Sequence, residues 1–549
     1  MKLSRISLTL LLLATLRTLS EAQPFTRADS LLGSLNPERS CYDVTSYYLD
    51  ITFNPEDKTI EGQVDIFFTA MANFDRMQVD LDKRLTITGI LFREKPLLFD
   101  REFRAVHIYM PGKILRGEAG KISVAFKGKP REALNPPWDG GFSWEHYNEK
   151  PWFSVSCEGE GASLWWPCKD HFSDEPDSVI MDWTVPDGLV AVGNGRLRES
   201  VSRDSGWTTW TWAVTNPINL YNVNITAGPL VHWSDTFRGK EGPLALDYYV
   251  LEGHEAKSRE HFRQVKPMLA CYEKYFGPYP FYADSYKLVE TPYLGMEHQS
   301  SIAYGNSFRK GYMGLDQSGL GFDYIIIHES GHEWFGNSLT AADPAELWIH
   351  ESFTTYAEAV YIECMADYET AIRYLNTQRW MIRNRHPIVG PGGVHFKGWN
   401  YDNDLYYKGA WMLQTLRTIL DNDTLWWNTL YDFCTEFRHR ILSTGEVITF
   451  FENRTGRELG PVFRQYLYHA EPPELMYTVR KKGNALEMEF RWEAAEPGFE
   501  MPVRIVYDEK ESRWIKPTAK WQKIKLKGWK NPAKLAMDSR HMYFLETKM

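Results

Sequence analysis

Cysteine is scarce in this chain, six residues in 549, and none forms a C-x-x-C pair. That argues against a thiolate zinc site and against a fold built on disulfides. Of Cys41, Cys157, Cys168, Cys271, Cys364 and Cys434, the pair Cys157 and Cys168 is near enough in sequence to bond. A surplus of positive charge is also lacking, because 62 Lys and Arg face 72 Asp and Glu for a formal charge of −10. Nucleic acid and anionic membranes select basic surfaces, so neither is expected as the main partner. Long apolar runs are missing as well. The longest, Ile6 to Leu16, is too short to span a bilayer.

That run lies in a start with a different meaning. Lys2 and Arg5 precede it, and Ser20-Glu21-Ala22 offers a small-x-small cleavage site, the pattern of a secretory signal over residues 1–22. Export to a secreted or periplasmic location is expected, with a soluble product and no membrane span. Losing Lys2, Arg5, Arg17 and Glu21 would leave the chain near −12. Asn224, Asn422 and Asn453 head N-x-T triplets, acceptors only in a host that glycosylates.

At this length one hydrophobic core is not enough, and several domains are expected. Aromatics are abundant at 15%, including 21 Trp and 30 Tyr, which suits thick β-rich cores or a ring-lined cleft. From about Tyr42 to Leu230 apolar and polar residues alternate, as in Tyr47 to Phe53 and Val64 to Phe68, predicting an N-terminal β domain over 23–248. Helical periodicity begins at Glu255 to Phe276 and recurs from Asp323 to Tyr468, predicting a mainly α domain over 249–470. Pro472-Pro473 breaks it. Leu486, Met488, Phe490 and Trp492 then alternate with polar neighbours after the turn Lys482-Gly483-Asn484, predicting a small β-sandwich over 471–549. The fold class is multi-domain α+β.

The sharpest chemical signal is His328-Glu329-Ser330-Gly331-His332. Residues four apart share a helix face, so both imidazoles can reach one cation, with Glu329 beside them as general base. Gly336-Asn337 suits a helix end. Asp343, Pro344 and Glu346 read as N-cap, first position and capping box of a second helix. That helix carries Glu351, with 18 residues between it and His332. A short return places it opposite the histidines as a third ligand, and two His with one Glu leave a tetrahedral position open, as catalytic zinc sites do. Glu358, two turns on, can orient one histidine; the bland reading is a surface carboxylate.

These residues, set in His332-Glu333-Trp334-Phe335-Gly336-Asn337 and Leu347-Trp348-Ile349-His350-Glu351, resemble the aminopeptidase N family of gluzincin zinc metallopeptidases. The resemblance runs over nearly all the chain beyond residue 22, as a short member without the helical C-terminal domain of many relatives. It implies a thermolysin-like catalytic domain and one zinc ion. The family usually has Asn-Glu-Gly where His350-Glu351-Ser352 stands.

An aminopeptidase must also recognise a free α-ammonium. Tyr293-Leu294-Gly295-Met296-Glu297-His298 resembles the family's Gly-x-Met-Glu-Asn, with Leu294 for the first glycine and His298 for asparagine. The resemblance gives the amine to Glu297, while Gly295 and Met296 form an extended segment that can pair with a peptide. Ser156-Cys157-Glu158 with Pro167-Cys168 is similar to the family's Gln-x-Glu and Pro-Cys spacing, making Glu158 a second amine carboxylate. Tyr406-Tyr407-Lys408-Gly409 is similar to Tyr-Glu-Lys-Gly, which assigns the oxyanion phenol to Tyr406. By composition alone both tyrosines would be core aromatics. The expected activity is zinc-dependent removal of N-terminal residues from peptides. A zinc endopeptidase on the same scaffold, or a catalytically silent peptide-binding protein, are the alternatives.

Overall fold

The computed structural model describes residues 25–203, 206–395 and 402–549; the signal segment lies outside them. The N-terminal part is built on an eight-stranded sheet. Its strand Tyr42–Asn54 pairs antiparallel with Thr59–Ala70 on one side and parallel with Ser178–Pro186 on the other. Alternation in Tyr42–Asn54 buries Tyr47, Leu49, Ile51 and Phe53 on one face, as a half-covered strand requires. Four-stranded and three-stranded sheets complete this part. Around Phe53 the rings of Phe142, Phe153, Trp165 and Trp183 gather within 5.6–6.2 Å, so much of the aromatic surplus is core.

The next sheet corrects the first boundary. Strands Leu230–Gly239 and Gly242–Leu251 form a hairpin, but its second strand runs parallel to β1 (Tyr286–Glu290). That five-stranded sheet continues through β3 (Ile302–Tyr304) to β2 (Gly295–Met296) at its edge. By sheet membership the second unit begins near residue 230, not 249. Amphipathic alternation looks the same in either sheet, so the pattern could not say which one the hairpin would join.

Helices pack against this sheet. The helix Val265–Phe276 lies between its second strand and β1 in sequence; α1 (Tyr324–Gly331), α2 (Trp348–Met365) and α3 (Tyr407–Leu420) follow, with further helices to Tyr468. A disulfide joins Cys271 to Cys364, across 93 residues, tying Val265–Phe276 to the end of α2. Cys157 and Cys168 are both buried and unpaired. Sequence proximity misled here because Cys168 sits in a β-bridge to Asp80 while Cys157 turns toward the Tyr221 carbonyl.

The capping box at Glu346 also fails to form. Asp343 caps only a 3-10 turn, accepting from the Ala345 N–H, while Glu346 accepts instead from the Thr444 N–H at 2.9 Å. A tertiary donor outcompetes the local one. After Gly460–Tyr468 the chain enters strand Glu474–Lys482, and two small sheets of four and three strands close the C-terminal part. Leu486, Met488, Phe490 and Trp492 all point into its core. Among the described residues no helix is long and apolar enough to cross a membrane.

Candidate metal centre

Helix α1 is short and almost wholly interior. Asp323 caps it, accepting from the Ile325 N–H at 2.9 Å, and is itself held by Tyr304 and His261. Ile325, Ile326 and Ile327 anchor the helix in the core. Regular helix ends at Gly331, and His332 follows in the right-handed region at φ −62°, so the two imidazoles still share a face. Gly331 lies against Thr354 of α2: a Cβ there would sit 3.1 Å from the Thr354 methyl. This close packing brings Glu351 to the histidines.

The donor atoms form a nearly equilateral triangle. His328 Nε2 and His332 Nε2 are 3.3 Å apart, and each is 3.5 Å from Glu351 Oε2. Three ligands at about 2.0–2.2 Å from a tetrahedral zinc lie about 3.3–3.6 Å from one another. Among the described residues Glu351 Oε2 is buried with no hydrogen-bond partner. A triangle of this size with an orphaned carboxylate oxygen fits a divalent ion.

The far side of each ring fixes its tautomer. His332 Nδ1 faces the Phe335 carbonyl at 2.9 Å, which can only accept, so Nδ1 donates and Nε2 keeps its lone pair for the triangle. His328 Nδ1 faces Glu358 at 2.7 Å, and the Tyr374 hydroxyl donates to the same carboxylate at 2.6 Å. Glu358 is fully buried, so the surface reading of it is excluded.

Further carboxylates crowd the same cavity. Ligand-capable atoms of Glu297, Glu329 and His332 lie within 4.8 Å of one another. Burial pushes the Glu329 carboxyl up to about 7, with His328 opposing and Glu297 reinforcing the rise. Burial also raises Glu297, against His332 and with Glu351, and raises Glu158 strongly, aided by Glu297, Glu351 and Glu329. Glu351 goes the other way, because His332 and His328 outweigh its burial. So much buried negative charge calls for cations.

Gly295 explains how β2 reaches this cavity. A Cβ there would stand 2.6 Å from Ile325 Cγ2 and 2.8 Å from Glu329 Oε1, so only glycine lets the backbone pass. As the outermost strand of its sheet, β2 keeps one edge open to an added strand. Met296 is buried behind it. Glu297 follows, accepting from the Tyr221 hydroxyl at 3.1 Å, with its carbonyl held by Asn337 at 2.8 Å. Glu158 comes off the end of strand Lys150–Ser156, and its Oε1 is buried and, among the described residues, unpartnered. Tyr406 stands at the N-cap of α3 with its ring 6.3 Å from that of His328.

Several residues carried no local signal. Tyr221 reaches Glu297 from the β domain, stacked on Phe172, which also lies parallel to His350. Gly409 meets Ser352 so closely that a Cβ would overlap the serine oxygen, and Ser352 donates to the Leu405 carbonyl at 2.7 Å. The serine where glycine is usual therefore holds the start of α3, and with it Tyr406. Asn224 is buried against His298 at 2.8 Å, which removes it as a glycan acceptor.

Residues 261–466 match the Peptidase family M1 domain. The chain is 24% identical over 415 residues to aminopeptidase N of Lactobacillus helveticus, covering 68% of this chain and 46% of that protein. It is 24% identical over 280 residues to human aminopeptidase B, covering 49% and 40%. It thus spans about half the length of these relatives or less. An M1 zinc metallopeptidase mutant from Deinococcus radiodurans, bound to a Tyr-Ser-Ala substrate, has the same fold. Its TM-score is 0.67 at 21% identity, covering 80% of this chain and 97% of that one.

Proposed function

This chain carries a peptidase family M1 domain of the aminopeptidase N-type gluzincins, and from that premise we propose that it is a zinc-dependent aminopeptidase cleaving the first peptide bond of peptides with a free N-terminus. The observation that carries the proposal is the juxtaposition of the His328–His332–Glu351 triangle with carboxylates that are not needed as ligands. The triangle would hold one zinc ion. Zinc, when bound, supplies a Lewis acid and an acidified water.

The protein's own side chains do the rest. Glu329 takes a proton from the attacking water and passes it to the leaving amine, as a general acid–base group does. Glu297 and Glu158 receive the α-ammonium, and two buried carboxylates around one cation fix which bond is in register. The edge of β2 pairs with the peptide backbone. Tyr406 donates toward the developing oxyanion. Glu358 and the Phe335 carbonyl keep both imidazoles in the ligating tautomer.

The deciding assay pairs free and N-acetylated forms of one peptide, with and without chelator. The free form should be shortened from its N-terminus only when metal is present, and the acetylated form should survive. Internal cleavage of the acetylated peptide would favour an endopeptidase. Binding without turnover would favour a silent peptide-binding protein. Export is part of the proposal, supported by the character of residues 2–22 and by the Cys271–Cys364 disulfide, a bond suited to an oxidising compartment.

A further inference from the structure

We propose that His298 is a positioning residue for the amine-binding carboxylate of Glu297, acting through a buried side-chain bond to Asn224 of the β domain. The proposal rests on the aminopeptidase reading above and deepens it.

Residues 297–301 form a short loop with Glu297 at one end, wedged between the catalytic unit and the β domain. Little in the loop can be held by regular structure, because β2 stops at Met296 and β3 starts at Ile302. Side chains hold it instead. Asn337 binds the Glu297 carbonyl at 2.8 Å, and Glu333 accepts the Ser300 N–H at 2.8 Å. Asn194 donates to the Gln299 carbonyl at 2.7 Å, and Ser300 Oγ accepts from the Gly195 N–H at 2.8 Å. Ser300 needs that grip, since its φ of 54° is costly for a residue with a side chain.

The ring next to Glu297 is the peg that crosses to the other domain. His298 is fully buried, and its Nδ1 stands 2.8 Å from Asn224 Nδ2. The amide N–H₂ can only donate, so Nδ1 accepts and the ring is neutral. Burial holds its pKa down near 3, so it stays neutral at any working pH. Asn224 is itself fixed, its N–H donating to Asn194 Oδ1 at 2.9 Å. Asn194, Asn222 and Asn224 thus make one polar knot, and Asn222 also donates to Asn337 Oδ1 at 2.8 Å. Glu297 is therefore held at its own carbonyl and through its neighbour's ring by one network. Losing the ring would leave the Asn224 amide buried without an acceptor and free the backbone beside Glu297. The carboxylate would still be present but no longer preorganised over the ammonium.

The test compares His298→Gln, His298→Leu and His298→Ala, with Asn224→Ala approaching the same bond from the other side, on metal-loaded protein and a free-amine peptide. Gln and Leu both fill space, but only Gln offers Asn224 an acceptor. Leu and Ala should raise KM about tenfold with kcat within about threefold and zinc content unchanged, while Gln should recover most of the loss. In a Glu297→Ala background the His298 substitutions should add nothing further. Equal behaviour of Leu and Gln, an unchanged KM throughout the series, or full additivity with Glu297→Ala would overturn the proposal. If His298→Ala does not fold, Asn224→Ala and the Gln–Leu pair carry the comparison. If Glu297→Ala itself leaves KM unchanged, the aminopeptidase reading falls. If Glu297→Ala raises KM and the His298 series does not, only the positioning role falls.

Discussion

Glu358 holds the Nδ1 side of His328 while Glu329 lies beside His332 and Glu297, and removing their charge should have different effects. Glu329→Gln keeps the volume and the triangle but removes the proton acceptor, so kcat should fall at least a hundredfold with zinc content unchanged. Metal analysis beside a steady-state assay checks both halves. Glu358→Gln should instead weaken zinc binding by about 10- to 100-fold, because an amide is a poorer acceptor for the His328 N–H. A chelator competition curve reads that shift directly. Gly295→Ala should lower activity as well, since a methyl group would stand within 3 Å of both Ile325 and the Glu329 carboxylate.

At the scale of elements, α2 is pinned to α1 by packing beside the ligand triangle and to the helix Val265–Phe276 by the disulfide at its far end. Closing a loop of 93 residues should stabilise the fold by roughly 2–4 kcal/mol. The double variant Cys271→Ser and Cys364→Ser should lose that in a denaturant titration while keeping its zinc.

The loops between elements hold neutral histidines. Burial lowers His171 to about 4, with Arg39 and Lys169 adding to the effect, and lowers His298 to about 3. An unfolded histidine titrates near 6.5. Between those values the unfolded chain binds protons that the native chain refuses, so their contribution is full above about pH 6.5 and is lost as pH falls toward 4. Unfolding free energy should drop by roughly 1.4 kcal/mol per pH unit for each histidine across that window. His171→Gln should flatten the slope by one proton.

For the whole molecule, the proposed metal would join regions far apart in the sequence. Its ligands come from α1 and α2, and the carboxylates around them come from β2 and the β domain. Zinc binds the native state alone, so stripping it should lower the melting temperature, and one equivalent per chain should restore it. Restoration that needs two equivalents would contradict a single-ion centre.

The local patterns were sufficient to place His328, Glu329, His332 and Glu351 together, because a helix sets the spacing of neighbours four apart and a short return brings the next helix back. The family resemblance singled out Gly295 as part of an extended segment, and the alternation of Leu486 to Trp492 announced a C-terminal β unit. Other features belong to no local pattern. The hairpin 230–251 could join either sheet, Glu346 abandoned its own helix start for Thr444, and Cys271 found Cys364 rather than a nearer thiol. Tyr221, Asn224 and Phe172 come to the site from the β domain, with Tyr221 and Glu297 76 positions apart. Periodicity and caps record what a residue does for its own element, whereas these contacts arise only when separate layers close on one another and buried polar groups must find partners wherever they happen to lie.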